Sequence, residues 1–296
     1  MYLVVLIIIS ITTLIVPALV MELLAPELEI SAPRQKNYRG KEVWHGLGLV
    51  WALWVLGVWV GGIAIGALIG YQPSWLLLIS SSLPLILGSC LFGLFDDWIG
   101  ASDKQKGFSG HLHAFAQGRM TTGFLKLLGI GLLAVFTAAS LTDPLIPTLG
   151  CISLVLLKAA VIALSANLIN LLDLRPARAL KSYSFGIFLL CCFLFIVWVL
   201  GRIPGSHFFL ILCSIAPVIS IWRFDAHERG ILGDAGANAM GAYLGFLFVA
   251  YLPWPLLFLV FIVLAGLNLL SERYSFTELI ESNRVLKNID DLGRLK

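Results

Sequence analysis

The sequence predicts an all-α membrane protein: a polytopic transmembrane helical bundle of about nine to ten spans, N-terminus outside, C-terminus cytoplasmic. Three observations predict it. Hydrophobic residues make up 59% of the 296 and charged residues only 12%, with a mean hydropathy of +0.94, which no soluble domain sustains. The apolar residues fall in runs near the roughly 20 residues that a helix needs to cross the hydrocarbon core. Stretches such as Leu3 to Ile9 do not alternate apolar and polar residues, as the strands of a membrane barrel must.

The expected spans lie near 2–24, 46–70, 74–95, 121–140, 149–168, 183–201, 207–222, 235–252 and 253–271. The first lacks a basic leading segment and is followed by Glu-rich and basic sequence rather than a small-residue cleavage site, so it is expected to be a retained span. Basic residues follow alternate spans: Arg34, Lys36, Arg39 and Lys41; Lys104, Lys106 and Arg119; Arg175, Arg178 and Lys181; Arg223 and Arg229; and Arg273, Arg284, Lys287, Arg294 and Lys296. These are 17 of the 20 lysines and arginines, and Arg202 is the one basic residue in a loop on the opposite side. Retention of positive charge in the cytoplasm then fixes the orientation. The outer connections, Tyr71-Gln72-Pro73, Thr142-Asp143-Pro144, Ile203-Pro204-Gly205 and Pro253-Trp254-Pro255, are turn-forming breaks. Trp44, Trp75, Trp98, Trp222 and Trp254 fall near span ends, as an aromatic belt requires. All five cysteines lie within spans and read as packing residues. One integral domain over 1–271 is expected, followed by a cytoplasmic tail over 272–296.

Chemistry is concentrated in the inner loops. Asp96-Asp97 opens the longest of them, which continues through Asp103, Lys104, Lys106, His111 and His113 to Arg119. Adjacent carboxylates call for a cation or a shared proton, or else simply face water. Asn167, Asn170 and Asp173 recur every three residues and share a helix face, lining a hydrated cleft or bonding neighbouring spans. Gly233-Asp234-Ala235-Gly236 opens the eighth span, where free helix N–H groups favour an anion such as a diphosphate. Lys126 lies just inside the fourth span and Lys158 near the middle of the fifth, each a candidate site residue with a snorkelling or ion-pair alternative.

Taken together, Phe95-Asp96-Asp97, Asn167 to Asp173 and Leu232 to Gly236 resemble the Asp-Asp, Asn-x-x-Asn-Leu-x-Asp and Met-Gly-Asp-x-Gly motifs of the polyprenyl-phosphate N-acetylhexosamine-1-phosphate transferase superfamily, relatives of the phospho-N-acetylmuramoyl-pentapeptide translocase. Asn37 to Lys41 and the glycines near Gly46 and Gly48 occupy the place of its first cytoplasmic loop. The resemblance implies transfer of a sugar 1-phosphate from a UDP-sugar to polyprenyl (undecaprenyl) phosphate with release of UMP, using Mg²⁺, or Mn²⁺ in its place. It implies that Asp96, Asp97, Asp173 and Asp234 are catalytic, with Asp234 and Asp97 at the metal. Asn167, Asn170, Lys41, Lys106, Arg119, Lys126, Arg229 and Gly236 would bind the substrates. The chain departs from the pattern after Asp173, where Leu174-Arg175-Pro176-Ala177 replaces a Gly-x-Asp-Gly continuation, and at Ile231, where relatives often carry Phe.

The net charge of +3 suits anionic lipid headgroups and anionic substrates alike, and no nucleic-acid partner is expected. Ser275-Phe276-Thr277-Glu278 reads as a capping box, and the following apolar residues recur at helical spacing beside Arg284, Lys287 and Arg294. The tail is therefore expected to lie on the inner leaflet, or else to pack over the inner loops as a lid. A catalytically silent paralogue that binds lipid-linked sugar or scaffolds envelope enzymes is the second functional reading. A transporter is the third, disfavoured by spans nearly free of charge.

Overall fold

Nine helices of 18 residues or more carry the architecture of the computed structural model, which describes residues 2–68, 76–100, 107–143, 145 and 148–294. They are α1 (Tyr2–Ser31), α2 (Leu47–Leu68), α3 (Leu76–Ile99), α5 (Thr122–Ser140), α6 (Thr148–Leu172), α7 (Arg178–Val199), α8 (Phe208–Ala226), α9 (Gly233–Tyr251) and α10 (Trp254–Ser271). Shorter helices are α4 (Gly107–Ala116), α11 (Phe276–Ser282) and α12 (Arg284–Asp291). Among the described residues, seven helices (α2, α3, α5, α6, α7, α8 and α10) are long and apolar enough to cross a membrane. The protein is thus membrane-embedded by the length and composition of its helices. Several helices outrun their expected spans, and the extra turns bear chemistry: α3 carries Asp96 and Asp97 in its last turn, and α6 carries Asn170 beyond the expected end at 168. The expected Tyr71-Gln72-Pro73 turn, Trp75 and Pro144 lie outside the described residues.

α9 is buried along nearly its whole length, against α2, α3, α6 and α7. Asp234, Asn238 and many small residues dilute its hydropathy, and those small residues bring neighbouring backbones close. Gly236 meets Gly48 of α2, where a Cβ on either glycine would overlap the other's Cα. Gly241 and Gly245 similarly face the α6 backbone at Ser165 and Ile162. Gly236, expected at the substrate, is therefore a packing residue. Gly236→Ala is expected to cost at least the about 1–3 kcal/mol of an overpacked core, read as a lowered unfolding midpoint in detergent. Beyond Gly236, Trp51 stacks edge-on against Tyr183 and Tyr243 and donates from Nε1 to the Ser214 carbonyl at 2.7 Å, pinning α2 to α7, α8 and α9.

The expectation of an all-helical chain needs one correction. β1 (Arg34–Lys36) pairs antiparallel with β2 (Glu42–His45), and β2 pairs parallel with β3 (Gly230–Ile231), in the order β1-β2-β3. The hairpin closes because Gly40 takes a φ of +77° and the Asn37 side chain accepts from the Arg39 and Lys41 N–H groups. Trp44 sits beneath this sheet at 2% exposure, edge-on to Phe224, and so belongs to the core rather than to an aromatic belt.

The tail packs over the segment that follows α6. Arg178 forks onto Asp290, from Nε to Oδ1 at 3.0 Å and from Nη2 to Oδ2 at 2.8 Å, and also reaches Thr277 Oγ1 at 3.0 Å. Arg294 donates to the Pro176 carbonyl at 2.7 Å and to Asp290 at 2.6 Å. The Ser275 side chain makes no capping bond; Asn283 caps instead, accepting from Val285 N–H and Leu286 N–H at the start of α12.

Candidate functional site

Asp96 and Asp97 are neighbours in the last turn of α3, and helical rotation sends them apart. Asp97 turns to the start of α9. Its two oxygens accept from the Asp234 and Ala235 N–H groups at 3.0 Å each, with His45 Nε2 3.3 Å from Oδ1. Asp173, one residue past α6, accepts from the Gly233 N–H at 3.0 Å. Three successive N–H groups at the positive end of α9 are thus taken by carboxylates of the chain itself. The start of α9, expected to favour an anion such as a diphosphate, meets the chain's own carboxyl groups, and Asp97, expected at the metal, accepts from two of these N–H groups. Gly233 permits the arrangement, because its φ is +78° and a Cβ there would come within 2.5 Å of the His45 ring.

Asp96 turns the other way. Its Oδ2 lies 2.5 Å from Lys126 Nζ, and its Oδ1 accepts from the Thr122 hydroxyl at 2.6 Å. The same ammonium lies 2.5 Å from Asp234 Oδ2. Asn170 completes the cluster: its amide satisfies both ends when it donates to Asp234 Oδ1 at 2.9 Å and accepts from Lys126 Nζ at 3.3 Å. Glycines allow the approach. A Cβ at Gly93 would overlap the Asp234 backbone, and one at Gly100 would crowd Asp96 and Thr122. The Asp234 side chain is 30% exposed, against 17% for Asp96 and 14% for Lys126.

Asp173 is a buried carboxyl among carboxylates. Burial, reinforced by Asp225 and Asp234, pushes its pKa well above the ordinary range, against the pull of the Gly233 N–H. A folded pKa raised in this way gives a contribution that is full at low pH and is lost as pH rises through the folded value. Asp173→Asn, which keeps an acceptor for Gly233 without a titrating charge, is expected to raise the unfolding midpoint at alkaline pH and leave it nearly unchanged in acid. Equal midpoints at both ends of a pH series would contradict this.

Beside Asp173 lies a cavity of about 320 Å³, bordered by Tyr38, Arg175, Asp225 and Glu228 among others. Arg175, part of the segment that departs from the transferase pattern, stacks over the Tyr38 ring at 4.3 Å and pairs with Glu281 at 3.0 Å. Asp225 accepts from the Ala177 N–H at 2.6 Å and so holds Ala177 in a left-handed conformation, φ +59°. Glu228 collects Asn37, Tyr38 and Arg39, linking the hairpin to the approach of α9. Sequence reading passed over His45, Thr122, Asp225 and Glu228 as site residues. Asp225 and Glu228 stood beside a motif and were visible as carboxylates there; His45, on the expected inner side, read as a solvated polar residue, and Thr122 gave no signal.

The other expected site residues among those described make contacts outside this cluster. Asn167 donates to Asn268 at 2.6 Å and Asn268 bonds the Leu164 and Leu264 carbonyls, so Asn167 joins α6 to α10. Arg229 pairs with Glu29 at the end of α1, Arg119 bonds Gln117, and Lys41 reaches the Glu228 carbonyl at 3.5 Å. Lys158 donates to the Leu141 carbonyl at 2.6 Å and to Thr142, closing the end of α5. Lys106, with Asp103 and Lys104, lies outside the described residues.

Among the described residues, no group of three or more His, Cys, Asp or Glu side chains is placed to hold a metal. Mg²⁺ nevertheless needs only one or two carboxylates when water and substrate phosphates fill its shell. Asp96 and Asp234, whose oxygens already converge on one cation, fit that requirement; Asp97 does not join them. The chain matches no protein-family model and no curated protein sequence.

Proposed function

We infer that the chain is a Mg²⁺-dependent transferase moving a sugar 1-phosphate, in the first instance N-acetylhexosamine 1-phosphate, from a UDP-sugar to polyprenyl phosphate. In this reading it works at the cytoplasmic face of the cell membrane, with about nine to ten spans and its N-terminus outside, in the synthesis of an envelope glycan. The observation that carries the reading is the meeting of Asp96, Lys126, Asn170 and Asp234, from four helices, in one polar cluster at one end of an apolar bundle. An acceptor phosphate oxygen bonds to the phosphorus that bears the sugar while that phosphorus loses its bond to UMP. Such a step gathers several negative charges, and cationic groups must neutralise them. Lys126 supplies one such charge. Asp96 and Asp234 would hold Mg²⁺, which when bound supplies further neutralisation and orients phosphate oxygens. Asp97 and Asp173 are positioning residues that fix the start of α9, and with it Asp234.

A silent lipid-linked-sugar binder is the second reading. The observation favouring it is that Lys126 already bridges Asp96 and Asp234, and that Asp97 and Asp173 already occupy the α9 N–H groups. Purified protein given radiolabelled UDP-sugars and undecaprenyl phosphate separates the two. Transferase action predicts labelled lipid and UMP with Mg²⁺, none with chelator, and a loss of at least about 10²-fold in Asp234→Asn, as for removal of a charge-stabilising group. Lipid binding without product across the donor panel favours the silent binder.

A further inference from the structure

α12 turns Asp290 toward the protein and leaves its apolar residues exposed. Asp290 is 8% exposed and held by Arg178 and Arg294, whereas Val285, Leu286, Ile289 and Leu292 are between 45% and 66% exposed. At 100° per residue Val285, Leu286 and Ile289 fall on one face, the stripe that a helix ordinarily buries, and Leu292 follows just past the helix end. The helix sits level with the ends of candidate spans: Lys181, in the first turn of α7, donates to the Ile289 and Asp290 carbonyls, and Gly293 lies against the Trp222 indole in the last turn of α8. Phe185, Phe188 and Leu189, in the turns of α7 that follow Lys181, are also exposed and apolar. Arg284 and Lys287 are exposed on the same helix, charges that suit lipid phosphates.

We propose that α12 docks on the anionic leaflet bordering the carboxylate cluster, with Val285, Leu286, Ile289 and Leu292 entering the acyl boundary and Arg284 and Lys287 lying over headgroup phosphates. Because Asp290 is forked by Arg178, and Arg294 holds the Pro176 carbonyl, the docked helix also steadies the connection that begins at Asp173. This inference is independent of the transfer chemistry.

The test uses the full chain in nanodiscs of phosphatidylcholine alone or with phosphatidylglycerol, with Cys151, Cys191 and Cys192 replaced by Ala. Nitroxide labels are placed at Val285→Cys, Ile289→Cys and, on the opposite face, Asp291→Cys. Labels at 285 and 289 are expected to be open to oxygen and shielded from an aqueous nickel chelate, the reverse holding at 291. Phosphatidylglycerol should deepen them severalfold by the oxygen-to-nickel ratio, and Arg284→Gln with Lys287→Gln should remove that gain. Nickel access at 285 and 289 equal to that at 291 overturns the proposal, and so does immobilisation with neither reagent admitted, which marks a protein partner. Insensitivity to phosphatidylglycerol overturns the anionic assignment.

Discussion

Lys126→Met is expected to destabilise the protein by about 3–5 kcal/mol, because it strips the shared cation from Asp96 and Asp234 and leaves two carboxylates facing each other. The 30% exposure of Asp234 lets water screen part of the repulsion, so the lower end of that range applies. Among the described residues, the cluster's remaining side-chain partners are the Thr122 hydroxyl and the Asn170 amide, neither of them a cation. Thermal unfolding in detergent reads the loss. Added Mg²⁺ should recover most of the midpoint in Lys126→Met and little in the doubly substituted Lys126→Met, Asp234→Asn protein, where the carboxylate pair is gone. Recovery in both proteins would mean that the ion acts elsewhere. An unchanged midpoint in the single variant would mean that the ammonium does not hold the cluster together.

Arg178→Ala has the second largest expected effect. Arg178 and Asp290 are 4% and 9% exposed, and their fork joins the start of α7 to α12. Removing the guanidinium leaves Asp290 buried with Arg294 as its remaining charged partner, a loss of about 3–5 kcal/mol in that contact region. The tail should come loose first, so trypsin should cut within 272–296 many times faster than in the parent protein. Arg178→Lys should rescue little, because one ammonium cannot reproduce two parallel bonds. The pH dependence has a definite sign. Burial alone would raise the Asp290 pKa, but the bonds and charges of Arg178 and Arg294 outweigh it and hold the carboxyl below its usual range. The contribution is therefore full above the unfolded carboxylate value of about 3.9 and is lost as pH falls through the lower folded value. Acid should release the tail of the parent protein, and Arg178→Ala should show that release already at neutral pH.

Much of the site was legible because its residues are carboxylates and amides beside apolar runs, where polarity is conspicuous. Asp96, Asp173, Asp234 and Asn170 stand out against their neighbours in this way. Their division of labour was not legible. Asp96 and Asp97 are chemically identical and adjacent, and only the 100° turn between successive helix positions sends one to Lys126 and the other to the α9 N–H groups. Asn167 and Asn170 share a face by spacing, yet α6 meets α10 at one and the cluster at the other. Gly236 looked like a substrate contact within its motif and is a point where two backbones touch.

The sequence by itself determined the medium and the elements: hydropathy summed over about 20 residues is a local property, and it needs no partner to send a helix into a bilayer. It also determined that polar chemistry clusters at chosen helix ends. Tertiary structure decided which charge meets which, because a salt bridge or a helix cap depends on relative rotation, close glycine contacts and the three-stranded sheet that ties the first connection to α9. The same holds for the tail. Its amphipathic pattern is written in the sequence, but the inward turn of Asp290 and the outward turn of Val285 and Ile289 follow from the buried Arg178, more than 100 residues away along the chain, at a separation of 112.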